Sequence, residues 1–272
     1  MIQEKIKKLS KLTDDQFSLY APMLYYYAAI SLSLLVGVFS FQMINPEWTV
    51  FTLQEDGPSE WLGFFVLFYG ALIGIYLLFQ KFKEEKNLNL SYTVLGLLTL
   101  ALIFAALEEV SYGQRIFNFS SGEFFQSNNA QKETNLHNMV VNGVKVNKLI
   151  FGKILFLALL VHNVIFPFMV KKIDWAKKLH KVVGNFSPLV PQILILIVIA
   201  LSADLIDSRR RKEIVEVSGC LFYVLAMVGA YGYGLGGPKI KSLKTESIQK
   251  ILKAFYVAVP LSALILTYVY QG

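Results

Sequence analysis

The sequence predicts an all-α integral membrane bundle of seven transmembrane helices, with the N-terminus cytoplasmic and an ordered non-cytoplasmic loop at about 113–147. Three observations predict it. Apolar runs of about 20 residues, the length that crosses a bilayer, recur along the chain. Hydrophobic residues make up 55% of its 272 residues, well above the soluble average. Lysines gather in short runs beside the apolar segments, as the positive-inside rule requires.

Residues 1–15 set Ile2, Ile6 and Leu9 at helical spacing among Lys5, Lys7, Lys8 and Lys11, the pattern of a short interfacial helix. The basic start and the apolar stretch after it resemble a signal sequence. That stretch is too long for an h-region and no small-x-small site comes after it, so it reads as a retained first helix. Spans are expected at 20–43, 60–80, 91–112, 149–170, 189–207, 213–234 and 252–270, all within a single transmembrane domain, 1–272. Pro260, at the centre of the last span, is a place for a kink. Gly232, Gly234, Gly236 and Gly237 before Pro238 read as a helix stop, because no lysine and hydroxyl residue come next as a phosphate loop needs.

A cytoplasmic N-terminus puts Lys81, Lys83, Lys86, Lys171, Lys172, Lys239, Lys241 and Lys244 on the cytoplasmic side. The run Arg209 to Lys212 falls on the other side, where it reads as tied to nearby acids or to an anionic substrate. The net charge of +7 is accounted for by these flanking runs, so no nucleic acid partner is expected; the expected partner is the lipid bilayer. Cys220 stands alone, which leaves no disulfide and no cysteine metal site.

The acids sit at the ends of the apolar runs: Glu55, Asp56 and Glu60, then Glu108 and Glu109, Asp204 and Asp207, Glu213 and Glu216. All fall on the non-cytoplasmic face, together with the long loop. A carboxylate at membrane depth is costly unless paired, protonated or metal-bound. Small residues share a helical stripe with an acid in three spans: Glu60 with Gly63, Gly70 and Gly74; Glu109 with Ala101, Ala105 and Gly113; Glu216 with Gly219, Ala226 and Ala230. Such stripes mark close helix approach, so these acids are expected to point into the bundle. For any single acid, a solvated helix end is the plainer reading.

Two segments are densest in chemistry. In E-E-V-S-Y-G-Q-R, Glu108 and Glu109 are acid–base candidates. Arg115 is placed either to neutralise them or to clamp an anion, with Gln114 beside it. In E-T-N-L-H-N, Glu133 and His137 stand at i and i+4 on any short helix, the spacing of an acid–base pair or a shared metal, flanked by Asn135 and Asn138 as substrate contacts. Glu60, Glu109, Glu216 and His137 are the candidate metal ligands. A carboxylate-rich set with one histidine suits Mg²⁺, Mn²⁺ or iron better than zinc. His162, within the fourth span, reads as an interhelical hydrogen bond or as a proton or ligand site.

These two motifs, with Glu55 to Glu60 upstream, resemble those of a family of uncharacterised bacterial polytopic membrane proteins. Its members carry E-D-x-x-x-E, E-E-[IV]-S-[WY]-G-Q-R and E-x-N-L-H-N. The resemblance covers about half the chain, brings no assigned reaction, and implies a multi-pass protein of the bacterial inner membrane. The seven-span metal hydrolases of the alkaline ceramidase type share the span count, but their H-x-x-x-H near the C-terminus is absent here. The leading expectation is a membrane-embedded enzyme that hydrolyses or transfers a group on a lipid or lipid-linked anion, with a divalent metal as the concrete version. A proton- or cation-coupled transporter and a structural subunit of a complex are the alternatives.

Overall fold

The computed structural model describes residues 2–84, 89–146, 153, 157, 161–183, 189–235 and 239–271. The described residues are mostly helical. α1 (Ile2–Ser10) is a short amphipathic helix and α2 (Asp14–Ile44) the first long one. Thr13 starts α2 with a capping box: its hydroxyl accepts from Gln16 N at 3.3 Å, and Gln16 Oε1 accepts from Thr13 N at 3.2 Å. Asn45 ends α2 and caps α3 (Pro46–Leu53), with proline in the first turn, where its missing N–H costs nothing. A tight turn leads into α4 (Pro58–Glu84). A side chain on Gly57 would meet Gln54 O at 2.7 Å there, so the turn requires glycine. Asn89 caps α5 (Leu90–Glu109) by accepting from Tyr92 N at 2.9 Å.

A cap comes next. It holds a 3₁₀ turn at Ser111–Gly113, α6 (Gln114–Phe117), α7 (Glu123–Asn128) and a hairpin of β1 (Val140–Val141) and β2 (Val144–Lys145). Asn142 and Gly143, both at positive φ, form its two-residue turn, the chemistry such hairpins demand. Beyond lie α8 (Phe166–Lys172), α9 (Asp174–Val183), α10 (Val190–Ala203), α11 (Lys212–Met227) continued by a π-helical segment at Val228–Tyr233, and α12 (Thr245–Gln271). Gly234, at φ 72, closes the π segment, which agrees with a helix stop; residues 236–238 lie outside the described residues.

Helix α4 is the hub. It packs on α5, α11 and α12, while α11 also packs on α2 and α10. Glycines permit the approach: a Cβ on Gly70 would sit 2.5 Å from Val224 Cγ2, and one on Gly74 would sit 2.5 Å from Thr99 Oγ1. The stripe read on α4 is therefore a packing face. The α5 stripe is not one at Ala101, which is exposed, and Gly219 on α11 has open space beside it. Small residues allow close approach; they do not compel it. The core closes around Tyr27, Trp61, Leu77, Leu95, Leu221 and Tyr231.

Five helical stretches are long and apolar enough to cross a membrane: Asp14–Ile44, Pro46–Glu84, Leu90–Glu109, Lys212–Tyr233 and Thr245–Tyr270. The apolar helix α10 has only 14 residues, about 21 Å of rise against a hydrocarbon core of about 30 Å. In the expected span at 149–170, most of the residues before 161 lie outside the described residues, and 161–170 are helical. Helices α2 and α12 continue through Pro22 and Pro260.

The connections sort into two ends. At one, Ser242 bonds to Gln80 O and Glu84, and α1 packs on α10. At the other, Asp207 N donates to Gln42 Oε1 at 2.6 Å, Arg210 pairs with Glu55, and Tyr270 Oη donates to Ile116 O at 3.2 Å. The cap covers this second end.

Candidate functional site

Four parts of the chain build a site at the capped end. Glu60 comes from the first turn of α4, Glu108 and Glu109 from the last turn of α5, and Glu213 and Glu216 from the start of α11. The cap adds Asn135, His137 and Asn138. These eight side chains line one cavity of about 40 Å³, on a measure that gives a single water roughly 10–15 Å³. It therefore holds a few waters or one small polar group.

Glu108 organises the site. It is 6% exposed, and its Oε2 accepts from Leu136 N at 2.8 Å and His137 N at 3.0 Å, so a span end grips the cap by its backbone. Its Oε1 is buried, and the Tyr112 hydroxyl is a further hydrogen-bond partner of the carboxylate. Glu60 bonds the turn before its own helix, its Oε2 accepting from Asp56 N at 2.6 Å. His137, Lys212 and Arg210 attract the Glu216 carboxylate and Glu60 repels it.

The cap is held by a polar network. Ser111 donates to Glu133 Oε2 at 2.9 Å, and Asn135 Nδ2 donates to the same oxygen at 2.8 Å and to Ser111 Oγ at 2.9 Å. Gln114 Oε1 accepts from Thr134 N and Ser121 Oγ. Gln131 joins the cap to Glu55, which also pairs with Arg210, while Arg211 pairs with Asp204 at 3.0 Å. Part of the basic run Arg209 to Lys212 is thus tied to acids.

Several expectations change here. Glu133 to Asn138 is not helical, so Glu133 and His137 do not share a helical face. The cause is local: Asn129 Oδ1 accepts from Gln131 N and Glu133 N, and Asn135 Oδ1 accepts from Asn138 N, bonds that compete with a helix. Glu133 and Gln114 brace the cap and do not line the cavity. Glu55 and Asp56 lie outside the lining as well. Arg115 falls in α6, but its side chain lies outside the described residues. His162 sits on a π-helical turn and is not in the lining. Glu60, Glu109, Glu216 and His137 do share the cavity. Among the described residues, however, no three His, Cys, Asp or Glu side chains are grouped closely enough to hold a metal ion.

Tyr112 is the residue that pattern reading passed over. Ser111, Tyr112 and Gly113 run through positive φ at 49°, 56° and 88°, a left-handed stretch that turns the chain back over the end of α5. Outside glycine such a conformation is strained, and nothing in the residue types announces it. The turn sets the Tyr112 phenol beside Glu108. Burial first, and then that carboxylate, push it up to about 12, so the phenol stays protonated at any physiological pH.

No protein-family model, curated protein or solved structure matches the chain.

Proposed function

We propose that the chain is a membrane-embedded enzyme whose polar site opens to the non-cytoplasmic face, acting by hydrolysis or group transfer on a lipid or lipid-linked anion. One observation carries this reading: five carboxylates and a histidine from separate elements share one cavity at one end of a largely apolar bundle. Glu109, Glu213 and Glu216 supply candidate bases, His137 a candidate proton carrier, and Lys212, which attracts the Glu216 carboxylate, a charge for the substrate anion.

Seven crossings and a cytoplasmic N-terminus belong to the same proposal. Val146 leaves the hairpin at the capped end and Leu189 lies beside Tyr20 at the other, which supports a crossing in the expected fourth span. Helix α10 leads toward Asp207, which bonds Gln42, and this supports reading it as a short seventh crossing. With Cys220 replaced, a cysteine at position 84 is expected to react with a membrane-impermeant maleimide only from the cytoplasm; labelling from outside the cell reverses the orientation.

The reaction is tested in vesicles made from total lipids of the source-cell membranes, with lipid composition followed by mass spectrometry. Wild type should convert a lipid species, and Glu216→Gln should slow that conversion about 10²- to 10⁴-fold. Cation flux under an imposed pH gradient, with no lipid converted, would replace the enzyme reading with transport. Neither activity would leave the structural subunit.

A further inference from the structure

Residues 168–181, F-M-V-K-K-I-D-W-A-K-K-L-H-K, put exposed apolar side chains and a lysine run on one short stretch. Helix α8 ends at Lys172, and α9 begins after the single residue Ile173. Phe168, Ile173 and Trp175 are exposed, Trp175 by 55%. Helix α9 is docked, so its faces are fixed. Ala176 is fully buried, the helix packs on α5, and the His180 ring stacks on Phe166 with centroids 6.4 Å apart. Trp175 therefore stands at the edge of the buried side, with Lys178 one turn on from it. Helix α9 ends six residues before Leu189, which lies beside Tyr20 at the end away from the cap. Six residues reach at most about 20 Å, so the stretch belongs to that end.

The charge here is lopsided. Five lysines fall between 171 and 181 against one acid, Asp174. That acid pairs with Lys177 at 2.9 Å, which leaves the run strongly basic. Lys171 lies over the Phe168 ring, 5.4 Å from its centroid, so an ammonium and exposed apolar surface already meet. A solvated charged face would account for the lysines, but not for Phe168, Ile173 and Trp175 standing exposed among them. Tryptophan at a membrane–water boundary and clustered lysines on an amphipathic helix are together the chemistry of the headgroup level. Helix α1 is amphipathic too, but Glu4 lies within it and Lys7 pairs with Asp14, so less of its charge is left for a partner.

We propose that α9 and the turn before it form a binding surface for anionic phospholipid: Ile173 and Trp175 enter the bilayer at headgroup depth, and Lys172 and Lys178 hold a negatively charged headgroup beside them. Apolar burial brings the lysines to the membrane surface, and their attraction for anionic lipid holds the apolar residues in it. The inference stands apart from the enzyme reading, because it concerns the opposite end of the bundle and none of the groups assigned to catalysis.

The test follows quenching of Trp175 by brominated lipids in full-length protein reconstituted into phosphatidylcholine vesicles. Trp48 and Trp61 also emit, so the Trp175 signal is taken in each background as the difference made by Trp175→Phe. Brominated phosphatidylglycerol and brominated phosphatidylcholine are compared at equal, low mole fraction. Both should quench, and the anionic lipid should do so as if enriched about fivefold, equivalent to ~1 kcal/mol. Lys172→Gln with Lys178→Gln should bring the ratio to about one while quenching by phosphatidylcholine persists. Lys172→Arg with Lys178→Arg retains the charge and should retain the enrichment, which separates charge from a disturbed fold. High salt should weaken it. Equal quenching by the two lipids in wild type, or enrichment that survives the glutamine pair, overturns the proposal. Quenching by neither lipid overturns it as well, and makes the run a water-facing surface for a soluble acidic partner.

Discussion

Replacing Glu108 with alanine is expected to release the cap from the bundle. Two cap amides, Leu136 N and His137 N, donate to one of its oxygens. Hydrogen bonds to a charged acceptor contribute about 1.5–3 kcal/mol each. Against this stands relief of desolvation at the buried Oε1, a cost of about 1–3 kcal/mol. The balance favours the clamp by about 2 kcal/mol. Hydrogen exchange at the amides of 136 and 137 should therefore speed up roughly thirty-fold, while amides inside α4 and α11 keep their protection. Glu108→Gln, which retains an acceptor oxygen, should restore most of that protection and still lose activity. Unchanged exchange in the alanine variant would show that the cap is held by the Ser111, Glu133 and Asn135 network alone.

The two faces of Glu108 explain why part of this site was legible in the sequence and part was not. Carboxylates at span ends are visible because charge interrupts an apolar run, and topology then forces them to the same end. That logic reaches Glu60, Glu109, Glu213 and Glu216 without coordinates, since helical periodicity fixes their direction. It also anticipates the Gly63, Gly70 and Gly74 face of α4, where a missing Cβ leaves room for Val217, Val224 and Thr99.

It fails in the cap, where no periodicity exists. Glu133 and His137 share a face only on a helix. Asn129 and Asn135 take the backbone amides a helix would use, which is a matter of rotamer and turn. The partners of Glu108 are backbone N–H groups, which every residue but proline carries, so no side-chain pattern could name them. Tyr112 is hidden for a related reason: its role comes from three successive left-handed residues, of which only Gly113 is a type that favours them. The far boundary of the expected span at 189–207 is missed for a different reason. Its apolar run is long enough, but the helix stops at Ala203 and the chain turns through Ser202 O and Ala203 O toward Asp207, which hydropathy does not sense.

His137→Gln is expected to lower turnover about 10²- to 10⁴-fold, the usual contribution of a positioned acid or base, with the fold intact. The geometry separates the two effects. Glu108 grips residue 137 by its backbone amide, which glutamine supplies equally well, so the cap stays seated. The imidazole itself is exposed, lines the cavity and lies within electrostatic reach of Glu216. Histidine can take up and give back a proton near neutrality; glutamine keeps the hydrogen bonding and loses that exchange. A His–carboxylate couple across a cavity can draw a proton from an attacking hydroxyl or water and return it to a leaving oxygen. The comparison that decides is rescue. His137→Ala should recover part of its activity when imidazole is added, in proportion to concentration, with no change in thermal unfolding. Full activity in His137→Gln would leave the carboxylates to do the proton transfer alone. Loss of activity without imidazole rescue, accompanied by faster exchange at the amide of 136, would make His137 a support for the cap.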